Sequence, residues 1–477
     1  MQLLSVYFLI FFLIFILGYY LIPAKYRYLV IFFASLLFYL NQIDSYVQLV
    51  VLLTVIISIW GGSIVLSRLS STSRFRKPFF VIVLCVGIMP LIFFRYSDFF
   101  MTLLTHKDFP IMDNIIPIGC SFFSLQAVGY LVDIYRGDTK VENNPLRFGA
   151  YVAFFPTILS GPIERSNNLL KQLQQTDEKP FRFEEFKGGA IMFLWGAFVK
   201  LIVADRLSML VNTVYASYQT RSSFIVFFAV ICYSVQIYCD FYSYSLMAIG
   251  VGRMLGIQLI NNFDTPYFSC SIREFWHRWH ISLSTWFRDY VYIPLGGNRC
   301  SKFRKNINLM ITFLVSGLWH GADWTFLIWG GIHGLFQIIE GLIPKDKKNR
   351  IDGVCRKIGT FILVTFAWIF FRANTLGEAF GIIRKIFSQP ALWDALNGSL
   401  YSLGLDILEM NILGLGLIIV FAIDHTCFRD KCTVDVLFNR RGYLFQCFLL
   451  TGLFIFVLVF GRYGQAFNAQ EFIYFQF

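Results

Sequence analysis

The sequence predicts an all-α, polytopic bundle of membrane helices, and three observations predict it. Hydrophobic residues make up 57% of the 477 and charged residues 15%, against roughly 45–50% and roughly 25% in soluble domains. The apolar residues gather in runs close to the about 20 residues that cross a bilayer as a helix. Lys and Arg sit in the short loops between those runs, as the positive-inside rule requires. The same rule accounts for the net charge of +12 and leaves no reason to invoke nucleic acid. No polar stretch is long enough for a separate globular domain, so residues 1–477 are expected to form one integral membrane domain in contact with lipid.

Taken in order, the first run, Leu3 to Leu21, has no basic region before it and no small-residue cleavage site after it. It is expected to be a retained helix and not a signal peptide. Basic clusters set the topology: Lys25 and Arg27, Arg68 to Lys77, Arg136 to Arg147 and Arg165 to Lys187 are expected in the cytoplasm. Arg253 to Lys305, Lys345 to Lys357 and Arg429 to Arg441 join them. Threading apolar runs between these clusters gives about 11 to 12 spans, with the amino terminus outside. They fall near 3–21, 28–40, 46–66, 79–97, 116–134, 188–204, 223–250, 306–320, 323–343, 358–371, 410–424 and 443–461. The run Phe148 to Leu159 is too short to cross, has basic segments on both sides, and leads into Pro156, Gly161 and Pro162. It is expected to be re-entrant, which is tolerated only where protein or a water-filled cavity covers irregular backbone. Residues 261–306 are amphipathic, aromatic and punctuated by Gly and Pro, so they should lie in the interface or dip into the bundle. Ten cysteines carry no C-x-x-C pair, and neither a disulfide framework nor a metal site is expected.

Four of the six histidines lie between His277 and His333. His106 and His425 fall in loops and carry no signal. His320 ends an apolar run in GLWHGADW, and an imidazole at membrane depth is costly enough to imply function. Trp319 flanks it, Ser316 lies one turn earlier, and Asp323 follows at a spacing able to orient the ring. Ile272, Trp276, Leu283, Phe287 and Tyr290 recur at helical spacing, which predicts an amphipathic helix. His280 falls at the edge of its apolar face, beside a polar stripe of Arg273, His277, Ser284 and Arg288. His333, among glycines, is expected to pack helices. Gln236, Asp240 and Tyr244 share one face of a helix, and a carboxylate as deep as Asp240 calls for a hydrogen-bonded network. Lys200, Asp205 and Arg206 read as an interface anchor. Arg273, Arg278, Arg288 and Arg299 gather on the cytoplasmic side, where they either meet anionic lipid or hold the phosphates of a nucleotide-type carrier. There is no G-x-x-x-x-G-K-[ST], G-x-S-x-G or H-E-x-x-H, so a phosphate loop, a serine elbow and a zinc protease site all lack their signal.

Six motifs then appear in one order. They are IGCSFFSLQAVGYLVDIYRG (118–137), FFPTILSGPIER (154–165), FVKLIVADRL (198–207), QIYCDFYSYSLMAIG (236–250), REFWHRWHISLSTWFRDYVYIPLGGNR (273–299) and SGLWHGADWTFLIWGGIHG (316–334). Over about residues 80–345 the chain resembles the membrane-bound O-acyltransferase (MBOAT) superfamily. Within it, the chain is similar to the bacterial branch of alginate O-acetylation and teichoic acid D-alanylation. The resemblance implies that His320 is the essential histidine, that His280 is the second of the signature, and that a tunnel joins a cytoplasmic donor side to an outer acceptor side. Trp319, Ser316, Asp323, Asp240, Arg288 and Asn298 are the candidate substrate-binding or supporting residues. Two departures stand out: His277 occupies a position where arginine is common, and DFYSYSLMAIG replaces DFSGYSDMAIG, leaving Asp240 as the only acid of that segment.

The expectation is therefore an enzyme of the bacterial cytoplasmic membrane that moves an acyl group from a cytoplasmic thioester, acetyl-CoA above all, to a hydroxyl. No cofactor is expected to be permanently bound, and Arg273 and Arg278 are candidates for holding the donor. The branch implies an extracytoplasmic polysaccharide or cell-wall polymer as acceptor, reached through an outside acyltransferase partner. A lipid O-acyltransferase is the alternative within the superfamily. From a different class comes a proton-coupled transporter or flippase using His280, His320 and Asp240 as a relay, and a third reading makes the chain a scaffold for an outside enzyme.

Overall fold

Each of the twelve apolar runs becomes a helix in the computed structural model, which describes residues 3–105, 117–175, 180–343, 353–388 and 391–462. His106 and much of the Lys345 to Lys357 cluster lie outside the described residues. In chain order the helices are α1 (Val6–Leu21), α2 (Arg27–Leu40), α3 (Tyr46–Arg68), α4 (Arg76–Thr105), α5 (Cys120–Arg136), α6 (Pro145–Val152) and α7 (Lys171–Gln174). Next come α8 (Phe183–Phe198), α9 (Asp205–Tyr215), α10 (Ser223–Met254), α11 (Ile272–Arg278), α12 (Ile281–Phe287), α13 (Lys302–His320) and α14 (Trp324–Leu342). The last are α15 (Gly353–Arg372), α16 (Leu376–Ile386), α17 (Ile407–Asp430), α18 (Val434–Asn439) and α19 (Tyr443–Phe460). Among the described residues, eight stretches are long and apolar enough to cross a membrane, one of them Phe183–Tyr215, where a π-helical segment joins α8 to α9. The other runs are shorter, such as α2, or carry charge at one end, such as α13 with Lys302, Arg304 and Lys305.

The chain divides into two compact units, residues 1–190 with 247–261, and residues 191–246 with 262–477. In the first, α6 is only eight residues long, and every residue from Phe148 to Glu164 is buried. This short helix and its turn do not cross. They are covered by protein, as irregular backbone in a membrane must be. Phe155 sits among the rings of Phe8, Phe11, Phe15 and Phe38 at 5.1–6.4 Å, and its backbone N–H donates to Ser35 Oγ at 3.1 Å. Glu164 closes the segment: Oε1 accepts from the Ile260 N–H at 2.6 Å and Oε2 from Asn168 Nδ2 at 2.7 Å.

In the second unit, glycines decide which helices touch. A Cβ on Gly317 of α13 would collide with the Phe326 carbonyl, and one on Gly330 of α14 with the Phe313 carbonyl. The two helices therefore meet backbone to backbone, which places the end of α13 against the middle of α14. The single amphipathic helix expected over 272–290 is not formed. The chain breaks at Trp279 and His280, where His280 takes φ +43°, and α11 and α12 leave the break separately. Helix α11 opens on its own signal: Ser271 Oγ accepts from the Glu274 N–H at 3.0 Å while Glu274 Oε2 accepts from the Cys270 N–H at 2.9 Å, a reciprocal cap.

Candidate active site

Helix α13 ends at His320 because Gly321 is extended and Asp323 starts α14, its Oδ1 accepting from the Thr325 N–H at 2.8 Å. Asp323 thus caps α14 through this oxygen. The His320 side chain is 3% exposed. Three rings meet it edge to face: Trp319 at 4.9 Å, Trp329 at 5.0 Å and Phe371 at 5.2 Å. Trp319 also reaches the second histidine, His280, at 6.2 Å.

His280 is fully buried, its ring 4.6 Å from Phe241. Burial pushes its pKa down from 6.5 to about 3, so the ring is neutral at physiological pH. His333 is packed as well. Its Nδ1 accepts from Trp276 Nε1 at 3.2 Å, which fixes the neutral tautomer with the proton on Nε2. Its ring lies 5.1 Å from Trp329. The helix-packing role expected of His333 includes this hydrogen bond.

Two cavities have members of this aromatic cluster in their walls, both within the second unit. One, of about 370 Å³, is lined by Arg273, His277, Arg288, Lys305, Asn298 and Ser316 together with the apolar faces of Trp276, Phe287, Leu309 and Phe313. The polar stripe read from the sequence does converge there. Arg278 does not: its guanidinium binds Glu274 at 3.0 Å and Asp264 at 2.9 Å and lies over Phe428. The other cavity, of about 300 Å³, is polar, with Ser208, Asn212, Gln236, Asp323, Arg372 and Asn374 in its wall beside Phe326 and Phe371. Ser316, one turn before His320, lines the first, and Phe371, in ring contact with His320, lines the second. His320 itself lines neither of these two cavities, and the imidazole stands in the aromatic cluster next to both walls.

Lys200 is not an interface anchor. It is 5% exposed, and its Nζ lies 2.9 Å from Asp205 and 2.6 Å from Asp240. Asp240 is thereby neutralised in part by a cation 40 positions earlier in the chain. Gln236 and Ser208, one turn from these carboxylates on their own helices, line the 300 Å³ cavity. Sequence reasoning missed Trp276, Trp329, Phe371 and Arg372 as site residues. A signal did exist for the polar wall, since Asp205, Ser208 and Asn212 recur at helical spacing.

A buried imidazole beside a cation-rimmed chamber and a polar one, inside a polytopic membrane bundle, suits a membrane acyltransferase. The MBOAT, membrane-bound O-acyltransferase family matches residues 140–374, a span that holds His280, His320 and both cavities nearly whole. A protein named as an alginate O-acetylase in Azotobacter vinelandii is 37% identical over 392 residues, covering 80% of this chain and 77% of its own. The peptidoglycan O-acetyltransferase of Helicobacter pylori is 31% identical over 65% of each chain. The teichoic acid D-alanyltransferase of Streptococcus thermophilus is 30% identical over 58% of this chain and 69% of its own. The chain belongs to the membrane-bound O-acyltransferase family, and it is a multi-pass membrane O-acyltransferase. The transporter reading is set aside.

Proposed function

We propose that the protein, in the bacterial cytoplasmic membrane, transfers an acetyl group from acetyl-CoA to a hydroxyl of an extracytoplasmic polysaccharide or cell-wall polymer, handed on by an acyltransferase partner outside. The observation that carries this reading is the pair of chambers whose walls both come next to His320, one through Ser316 and the other through Phe371. The chamber lined by Arg273, Arg288 and Lys305 combines cations for phosphates with an apolar wall for a thioester arm, and guanidinium forks bind phosphate in bidentate fashion. The chamber bearing Asn212, Gln236 and Asn374 suits a hydroxylated acceptor. The relatives are named for alginate, peptidoglycan and teichoic acid, which are polysaccharides or cell-wall polymers.

With donor and acceptor arriving from opposite sides, the acyl group passes through His320. The thioester C–S bond breaks as a bond forms to one imidazole nitrogen, and the thiolate leaves as a thiol with the proton from the other ring nitrogen. The acceptor oxygen then displaces the imidazole, which takes the hydroxyl proton and returns to its neutral form, with His280 stabilising charge near the thioester. One histidine acting as base supplies roughly 10² to 10⁴ in rate, so positioning and exclusion of water by the surrounding rings supply much of the rest. Membrane vesicles given radiolabelled acetyl-CoA test the proposal. Wild type moves label into polymer, and His320→Ala inserts normally but moves none; polymer labelling at the wild-type rate in that variant contradicts it.

A further inference from the structure

Three described residues other than glycine have a left-handed backbone: Thr265 at φ 44°, His280 at φ 43° and Lys431 at φ 50°. Lys431 follows the last turn of α17, an ordinary place for that conformation. Thr265 and His280 instead bracket one short piece of chain, and for residues with a Cβ the conformation persists only where surroundings enforce it. What enforces it is visible. The Asn262 carbonyl accepts from the Ile281 N–H at 2.9 Å, and the Arg278 carbonyl accepts from the Asp264 N–H at 3.0 Å. Residues 262–264 therefore run alongside 278–281, and the two bonds straddle Trp279 and His280. The Asn262 side chain completes the clasp: Oδ1 accepts from Ser282 Oγ at 2.6 Å and from the Ser282 N–H at 3.3 Å. Arg278 Nη1 holds the far end, donating to the Asp264 carbonyl at 3.1 Å and to its carboxylate at 2.9 Å.

Asn262 is 1% exposed, and its Nδ2 has no hydrogen-bond partner among the described residues. A buried amide with half its capacity unused is costly. Fold alone gives no reason for an amide there, whereas the acceptor Oδ1 is used twice on the residue two positions after His280.

We infer that Asn262 is a positioning residue for His280: its carbonyl and carboxamide oxygens hold the chain at 281 and 282 so that the strained backbone at 280 aims the imidazole between Phe241 and Trp319. This rests on the role given to His280 above. A shift of about 1 Å at a reacting group can cost on the order of 100-fold in rate.

The test uses the full-length protein in membrane vesicles with radiolabelled acetyl-CoA, rates being normalised to folded protein. Asn262→Ala is expected to lower kcat at least about tenfold with the KM for acetyl-CoA within about twofold of wild type, because neither Asn262 nor Ser282 lines the donor chamber. Asn262→Asp keeps the acceptor oxygen and is expected to recover most of kcat. Ser282→Ala, which removes the shorter of the two side-chain bonds, should fall between them and carries the test if Asn262→Ala does not accumulate. Wild-type kcat in both Asn262→Ala and Ser282→Ala overturns the inference, as does an Asn262→Asp variant no better than Asn262→Ala. Should His280→Ala itself keep full activity, it is the role of His280 that fails; an inactive His280→Ala beside a fully active Asn262→Ala removes the clasp alone.

Discussion

At the scale of single residues, the burial of charge separates what the sequence showed from what it hid. Asp240 was legible as an acid needing a network, because its helix is apolar on both sides of it. Lys200 was not: a lysine near the end of an apolar run looks the same whether it reaches out to water or inward to a carboxylate, and Asp240 and Asp205 meet it only once the helices pack. The three groups, all nearly inaccessible, carry one positive and two negative formal charges. Removing the cation leaves two carboxylates facing each other in a dry site. Lys200→Met is therefore expected to cost about 3–5 kcal/mol of stability, while Asp240→Asn, which leaves the Lys200–Asp205 pair, costs clearly less. Thermal unfolding in detergent compares them, and equal midpoints contradict the account. His280 shows the same limit. Helical periodicity placed it at the rim of an apolar face, and only the backbone break turns it fully inward.

At the scale of elements, the re-entrant segment was readable from its length, its flanking charges and its prolines. Its anchorage was not, because Glu164 finds Ile260 almost a hundred residues later. Burial pushes the Glu164 carboxyl up from 4.5 to about 7, against the pull of its hydrogen bonds from Ile260 and Asn168. Between those two values the folded protein holds a proton that the unfolded chain releases, so this group's contribution to stability is greatest below the lower value and is lost as pH rises through the upper one. Glu164→Gln, neutral throughout, should gain on wild type as pH rises: the difference in Tm, variant minus wild type, is expected to become more positive from about pH 5 to about pH 8. A difference that stays flat or moves the other way counts against a protonated Glu164. The helix expected over 272–290 failed for a related reason, since a period of 3.6 continues smoothly across 279–280 and gives no hint that Asn262 pairs with the chain there.

At the scale of the molecule, the motifs carried the family and the two histidines, and composition carried the membrane helices. The sequence could not show the aromatic cluster around His320. Trp276, Trp329 and Phe371 come from three helices, and each alone reads as ordinary apolar packing. Assembled, they link His320 through ring contacts to Phe371 in the wall of the polar chamber and, by way of Trp329, to Trp276 in the wall of the cation-rimmed one. The most direct test of that arrangement is the sidedness of the chambers. Cysteine is placed at Ser284 in the cation-rimmed chamber or at Asn374 in the polar one, with the exposed native Cys85, Cys355 and Cys447 replaced, and a membrane-impermeant maleimide is applied to either face. The account predicts that Ser284→Cys reacts only from the cytoplasmic face and Asn374→Cys only from the opposite one; reaction of both from the same face contradicts it.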